Sequence, residues 1–244
     1  MENHDKKLAL AQIQSNVARY GHHIYLIPAE TVPRFAYTIG ISANKGAELI
    51  LAGASFYSAE EVTHIINTVA ANFPSQADWR KLTFQVESLG TFSLRKTELS
   101  WTNELLLGAL DYYQAAEISA FQIVPDEDHC TIDVPDLSQP WSANVEPVWQ
   151  WLHEPWRLPI SSRSVATTNL GALRGERITE AARWDEDSWE LFAGSGPDTP
   201  RGEVRSVPLA TLLAVDQSLG AVAELDVGRA LWRNPSDVHW HRWN

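Results

Sequence analysis

The residues best suited to chemistry stand near the start of the chain: His22 and His23, followed by Tyr37 and Thr38. An imidazole close to a phenol can pass protons, provided the fold brings the two within hydrogen-bond reach. The surrounding pattern is strand-like. Ile24-Tyr25-Leu26-Ile27 follows the histidines, and Pro33-Arg34-Phe35-Ala36-Tyr37-Thr38-Ile39-Gly40 alternates with period two between a proline and a glycine. Strands over 23–28 and 34–41, paired around the turn Pro28 to Pro33, would bring these polar groups to one end of a sheet, although adjacent His22 and His23 must point to opposite faces. A second reading uses the same residues: Tyr37 sinks its ring into the core with its hydroxyl satisfied, and the histidines satisfy backbone groups at a strand start. Phe35, Tyr37 and Ile39 share one face on either reading.

Other constellations are incomplete. His239 and His241 alternate on one side of a strand and with Asp237 could hold an ion, but no third and fourth ligand is evident nearby. Asp126, Glu127, Asp128, Asp133 and Asp136 match no EF-hand spacing and lack its central glycine, which suits a solvated acidic loop. Gly194-x-Gly196 runs into Pro197 and Asp198 where a phosphate loop needs a helix start. There is no Gly-x-Ser-x-Gly elbow, Walker lysine or His-Glu-x-x-His helix. Cys130 lies beside His129, but its acidic surroundings raise a thiol pKa rather than lower it. The expectation is no metal and no cofactor; without a recognised catalytic motif the enzyme question stays open, and the balance weighs against one.

Composition narrows the function classes. With 244 residues, 44% hydrophobic and 20% charged, the chain can bury a sizeable core. A formal net charge of -12 argues against the binding of nucleic-acid backbones, which demand clustered lysine and arginine, and suits a basic partner instead. The single cysteine rules out an intrachain disulfide and points to a reducing compartment. Nothing approaches the roughly 20 apolar residues of a membrane span, and the N-terminus lacks a signal core, so a cytoplasmic location is expected.

The elements follow from periodicity. A helix is expected at about 5–20, ending at Gly21. Glu48 to Gly53 reads as a buried strand. Ser58-Ala59-Glu60-Glu61 is a capping box opening a helix over 59–73. Leu82–Val86 and Thr91–Leu94 form a hairpin around Gly90, Asn103–Gln114 a helix and Phe121–Val124 a further strand. From Pro125 the texture changes: prolines interrupt regular structure, while Trp141, Trp149, Trp151 and Trp156 are too apolar for a solvated linker. A helical turn is expected near 145–152. Beyond Ser164, strands are expected at 165–169, 177–184, 189–193 and 203–207, with a short helix at 209–215 and no regular element assigned to 219–230. The sum is an α+β protein of two domains, each a mainly antiparallel sheet with packed helices: residues 1–135, a packed Trp/Pro-rich connector over 136–163, and a small unit over 164–244.

Two resemblances bear on this division. Gly21-His22-His23-Ile24, Pro33 to Gly40, Glu48-Leu49-Ile50 with Gly53, and Phe121-Gln122-Ile123-Val124 together resemble a bacterial domain of unknown function, the 4262 type, over roughly residues 10–135. The chain departs from that pattern at His22, where tryptophan is frequent, and at Ala47, where proline is usual. The C-terminal unit, through Ala166-Thr167-Thr168-Asn169, Arg177 to Arg183 and Ser188-Trp189-Glu190-Leu191-Phe192-Ala193-Gly194, is similar to another uncharacterised bacterial family, some of whose relatives are grouped with immunity proteins of polymorphic toxin systems. That likeness implies a protein partner such as a basic toxin, whose active face an acidic surface would occlude; the aromatic connector independently offers Trp141, Trp149, Trp151 and Trp156 as anchors. The alternative is an enzyme or small-molecule binder with a pocket near His23, Tyr37 and Thr38. Oligomeric state is not legible in the sequence.

Overall fold

Strands that are apolar at both parities need cover on both faces, and two strands of this chain, β2 (Phe35–Ile39) and β3 (Glu48–Ala52), are buried at every position. The computed structural model, which describes residues 2–74 and 78–243, places them inside a six-stranded sheet. Its other strands are β1 (His23–Ile27), β4 (Thr83–Val86), β5 (Gly90–Lys96) and β6 (Ala120–Pro125), in the order β1-β2-β3-β6-β5-β4. Neighbours run antiparallel except β3 and β6.

The helices of this half are α1 (Glu2–Tyr20), α2 (Ser42–Lys45), α3 (Ala59–Asn72), α4 (Leu99–Leu105) and α5 (Leu107–Tyr113). Helix α3 covers one face, setting Val62, Ile65, Ile66 and Val69 against Ala36, Leu49, Leu51 and Phe92. Each such aliphatic side chain contributes about 1.5–3 kcal/mol by leaving water. Its start is the expected capping box, with the Glu61 amide donating to Ser58 Oγ and the Ser58 amide donating to Glu61. The opposite face carries Phe35, Tyr37, Ile39 and Ile50 against Trp101, Leu105, Ala109 and Ile13 of α1, α4 and α5.

Between the sheets the chain is irregular but packed. Trp149 is fully buried against the first sheet, where its indole N–H donates to the Asp133 carbonyl at 2.9 Å. Trp156 lies against the second sheet's core, with its indole N–H on the Ile160 carbonyl. That sheet comprises β7 (Val165–Asn169), β8 (Glu180–Arg183), β9 (Ser188–Phe192), β10 (Val204–Pro208), β11 (Arg229–Trp232) and β12 (His241–Arg242), in the order β10-β7-β9-β8-β11-β12. Only β7 and β9 are parallel. One face packs on α6 (Leu170–Leu173), α7 (Leu209–Val215) and α8 (Gly220–Ala223) through Trp189, Leu191, Leu209, Leu212 and Val222.

The fold is thus α+β with two sheets, and several elements differ from expectation. The helix expected over 103–114 is two helices that break at Leu106, where φ is −97° and ψ 33°. The reason lies in the sheet beneath, because the Gly108 amide donates to the Tyr37 hydroxyl at 3.0 Å. The segment 219–230 holds α8 and the start of β11, which are too short for periodicity to reveal.

Just past β3, Gly53 adopts φ +71°; a Cβ there would stand 2.0 Å from the Asp133 carbonyl oxygen. Gly53→Ala therefore meets both a left-handed backbone and an immovable neighbour. Urea titration is expected to show a loss of on the order of 2 kcal/mol or more.

Candidate functional site

The four polar residues near the N-terminus do not form one constellation. Strand alternation sends Tyr37 to the face of α4 and α5 and Thr38 to the other. Tyr37 is 1% exposed and Thr38 0%, so neither can be reached by a ligand. His23 Nδ1 lies 2.9 Å from the Asn16 side-chain amide, and His22 Nε2 lies 2.9 Å from Asn67 Oδ1. Burial, then the neighbouring His22, lower the His23 pKa and favour its neutral form.

What Thr38 does touch is Glu48, a fully buried carboxyl group. Thr38 Oγ1 donates to Glu48 Oε2 at 2.6 Å and accepts from the Leu49 amide at 2.9 Å. The other carboxyl oxygen receives the Tyr113 hydroxyl at 2.5 Å, the Ser42 amide at 3.0 Å and the Gly40 amide at 3.1 Å. The Gly40 amide also donates to the Tyr113 oxygen at 2.8 Å, and its φ of +118° turns that N–H toward the pair. Sequence reasoning placed Glu48 on a buried strand without assigning it a partner; a carboxylate heading an otherwise apolar run was the available signal.

A second cluster surrounds His129, whose Nδ1 lies 2.5 Å from Asp126 and whose ring stacks on Tyr57, with centroids 6.0 Å apart. That ring nitrogen is committed to Asp126 rather than to Cys130. Burial, then Asp133, raise the Cys130 thiol pKa, so the two neighbours do not form an activated thiolate pair. His241 lies 3.9 Å from Asp237, and among the described residues no three His, Cys, Asp or Glu side chains gather as metal ligands.

The connector tryptophans are largely enclosed: Trp149 is fully buried, Trp141, Trp151 and Trp156 half-buried, and the Trp151 and Trp156 rings lie 4.8 Å apart. The exposed tryptophans sit further on, with Trp184 at 58% and Trp243 at 52%. Both line a groove of about 360 Å³ on the second sheet, together with Phe192, Pro197, Glu180 and Glu190. Alternation explains the surface: Ala181 and Leu191 enter the core, so Glu180, Ala182 and Glu190 face the other way. The Trp243 amide donates to the Ala230 carbonyl and sets its ring at the groove's edge. Glu180, Ala182 and Trp184 carry a period-two signal in the sequence; the tail's return to β11 leaves none.

Residues 16–130 match a family described as a domain of unknown function (DUF4262). No curated protein and no solved structure matches the chain. Among the described residues no helix is long and apolar enough to cross a membrane.

Glu48→Leu strips the acceptor from Thr38, Tyr113 and the Ser42 amide at once and leaves the Gly40 amide only the Tyr113 oxygen. Chemical denaturation should show a loss of at least about 3 kcal/mol, given that each buried orphaned polar group costs about 1–3 kcal/mol. Tyr37 supplies a test with pH. Burial pushes its phenol from 10.0 up to about 12, against the Gly108 amide, which lowers it. A folded-state pKa above the unfolded value means this contribution is whole below pH 10.0 and is lost as pH rises toward about 12. The loss is on the order of 3 kcal/mol. Tyr37→Phe should flatten the alkaline limb of the stability profile while lowering stability at neutral pH by about 1–2 kcal/mol, because the Gly108 amide loses its acceptor.

Proposed function

We propose that this chain is a protein-binding protein, a cytoplasmic immunity protein or regulator that neutralises a toxin by covering its basic active face. The observation that carries the reading is the groove on the second sheet, where Trp184, Trp243 and Phe192 stand beside Glu180 and Glu190. Aromatic faces attract lysine and arginine side chains, and carboxylates beside them pair the charge. Competing cations of this chain are turned elsewhere. Arg183 lies over Trp189 at 4.9 Å and donates to the Leu225 and Glu186 carbonyls, while Arg242 is paired with Leu231 on the core side.

The net charge of -12 supports a basic occupant by steering its approach. The likeness of the C-terminal unit to immunity-grouped proteins supports a toxin as that occupant. In this reading residues 1–135 and 164–244 are domains, and the connector over 136–163 joins them as packed filler.

Isothermal titration against the product of the adjacent gene tests the proposal. A saturable complex is expected, weakened by about 2 kcal/mol or more by Trp184→Ala and by Trp243→Ala. Glu190→Lys should slow association, with an effect that shrinks in high salt. Absence of a complex, or one indifferent to all three substitutions, would sink it.

A further inference from the structure

A separate cleft of about 480 Å³ opens where the two sheets meet, lined by Arg34, Ser55, Ser58 and Glu61 from the first half and by Arg201 and Arg205 from the second. Its charge runs against that of the protein, since the chain carries a net charge of -12 and three arginines converge here. The arginines are positioned by the loop that feeds α3. Arg34 Nη2 donates to the Tyr57 carbonyl at 2.5 Å, and Arg205 Nε donates to the Phe56 carbonyl at 2.8 Å. Arg205 Nη1 is held by the Gly202 and Val204 carbonyls, which fixes the plane of the guanidinium.

These groups are held by neutral carbonyls rather than by acids. Among the described residues no ion pair reaches Arg34, Arg201 or Arg205 within 4.0 Å. Arg34 Nε is buried with no hydrogen-bond partner. Burial lowers the pKa of both Arg34 and Arg205; Asp133 and Glu61 act against it at Arg34, and Glu61 and Glu203 at Arg205. The carboxylate nearest the cleft's own wall, Glu61, already receives the Ser58 amide as part of the helix cap. A partly desolvated guanidinium with no carboxylate at ion-pair distance is costly, and its remaining N–H groups are strong donors to phosphate oxygens. The start of the 14-residue α3 adds its positive end to the same wall.

We infer that this cleft binds the phosphate group of a small phosphorylated molecule, with Arg34 and the uncommitted Nη2 of Arg205 as fixed cationic donors and Arg201 as an exposed clamp at the rim. Arg205 grips the loop at Phe56, so occupancy would also tie the two sheets together. The ligand then stabilises the junction of the molecule as well as itself.

Thermal unfolding and isothermal titration with inorganic phosphate and with ribose 5-phosphate, compared with chloride at equal ionic strength, test the inference. Both phosphates should bind saturably and raise the melting temperature, whereas chloride should not. Arg201→Glu, at an exposed position that leaves the fold intact by circular dichroism, should weaken binding about tenfold or more. Arg205→Lys keeps the charge but loses the carbonyl-held guanidinium that aims Nη2 into the cleft, and should weaken it similarly. Failure of both phosphates to bind, an equal response to chloride, or binding unchanged in either variant overturns the inference.

Discussion

The first sheet depends on a buried acid held without a base. Glu48 is fully buried, and no cation lies within ion-pair distance among the described residues. Its carboxyl group is instead satisfied by a hydroxyl of β2, two amides of the turn after β2 and the phenol of α5. Burying such a group uncompensated costs several kcal/mol, so each donor is required where it stands. The turn after β2 must present its amides inward, which Gly40 permits with φ +118°. Tyr113 must reach the sheet, which fixes the end of α5. The distinctive run Phe-Ala-Tyr-Thr-Ile-Gly is therefore a set of constraints imposed by one carboxyl group and one amide: Thr38 and Gly40 serve Glu48, and Tyr37 serves Gly108.

The junction between the sheets repeats the same physics. Asp133 is fully buried and takes the Ser55 hydroxyl at 2.7 Å, the Ser55 amide at 3.1 Å and the Thr131 hydroxyl at 2.5 Å. Its backbone presses on Gly53 and receives Trp149, so one residue ties the edge of β3 to the connector. The preceding residue, Ile132, donates its amide to the Leu173 carbonyl of α6 and packs against the second sheet's core. Phe56, next to Ser55 that bonds Asp133, lies under the guanidinium groups of Arg205 at 5.4 Å and Arg174 at 5.8 Å. A stack of cations on an aromatic ring beside a satisfied acid gives the junction a defined geometry, and it is that geometry that leaves three arginines around an open cleft.

What was legible in the sequence is what local pattern can encode. The capping box at Ser58 names its own helix, the alternation at Phe35 to Ile39 names its strand, and Leu209–Val215 names a short helix. The break between α4 and α5 was hidden because its cause, the Tyr37 hydroxyl, belongs to a strand far back in the chain. Strand β11 follows Gly228 at φ +75° and spans only Arg229–Trp232, which is too short to show a period. The partners of Glu48 and the convergence of Arg34 with Arg205 are tertiary pairings, and spacing along the chain carries no trace of them. The connector tryptophans follow the same logic: an apolar ring in an irregular segment is drawn inward, as the expected packed connector requires, and Trp149 fills the core.

Coverage decides where binding can occur. The first sheet has α3 on one face and α1, α4 and α5 on the other, so its polar residues are spent on internal partners and its interior holds no route for a ligand. The second sheet has helices on one face alone, and its opposite face alternates Glu180, Ala182 and Glu190 with core residues while two exposed tryptophans stand at the rim. An antiparallel-rich sheet tolerates water on one side, but water does not reward a tryptophan that is more than half exposed. The molecule thus concentrates its unsatisfied surface in two places of opposite character, an aromatic and acidic face on the second sheet and an arginine-lined cleft at the junction. The signature run near the N-terminus contributes to both only indirectly, by making the first half rigid enough to hold Arg34 and the Ser55–Ser58 loop in place.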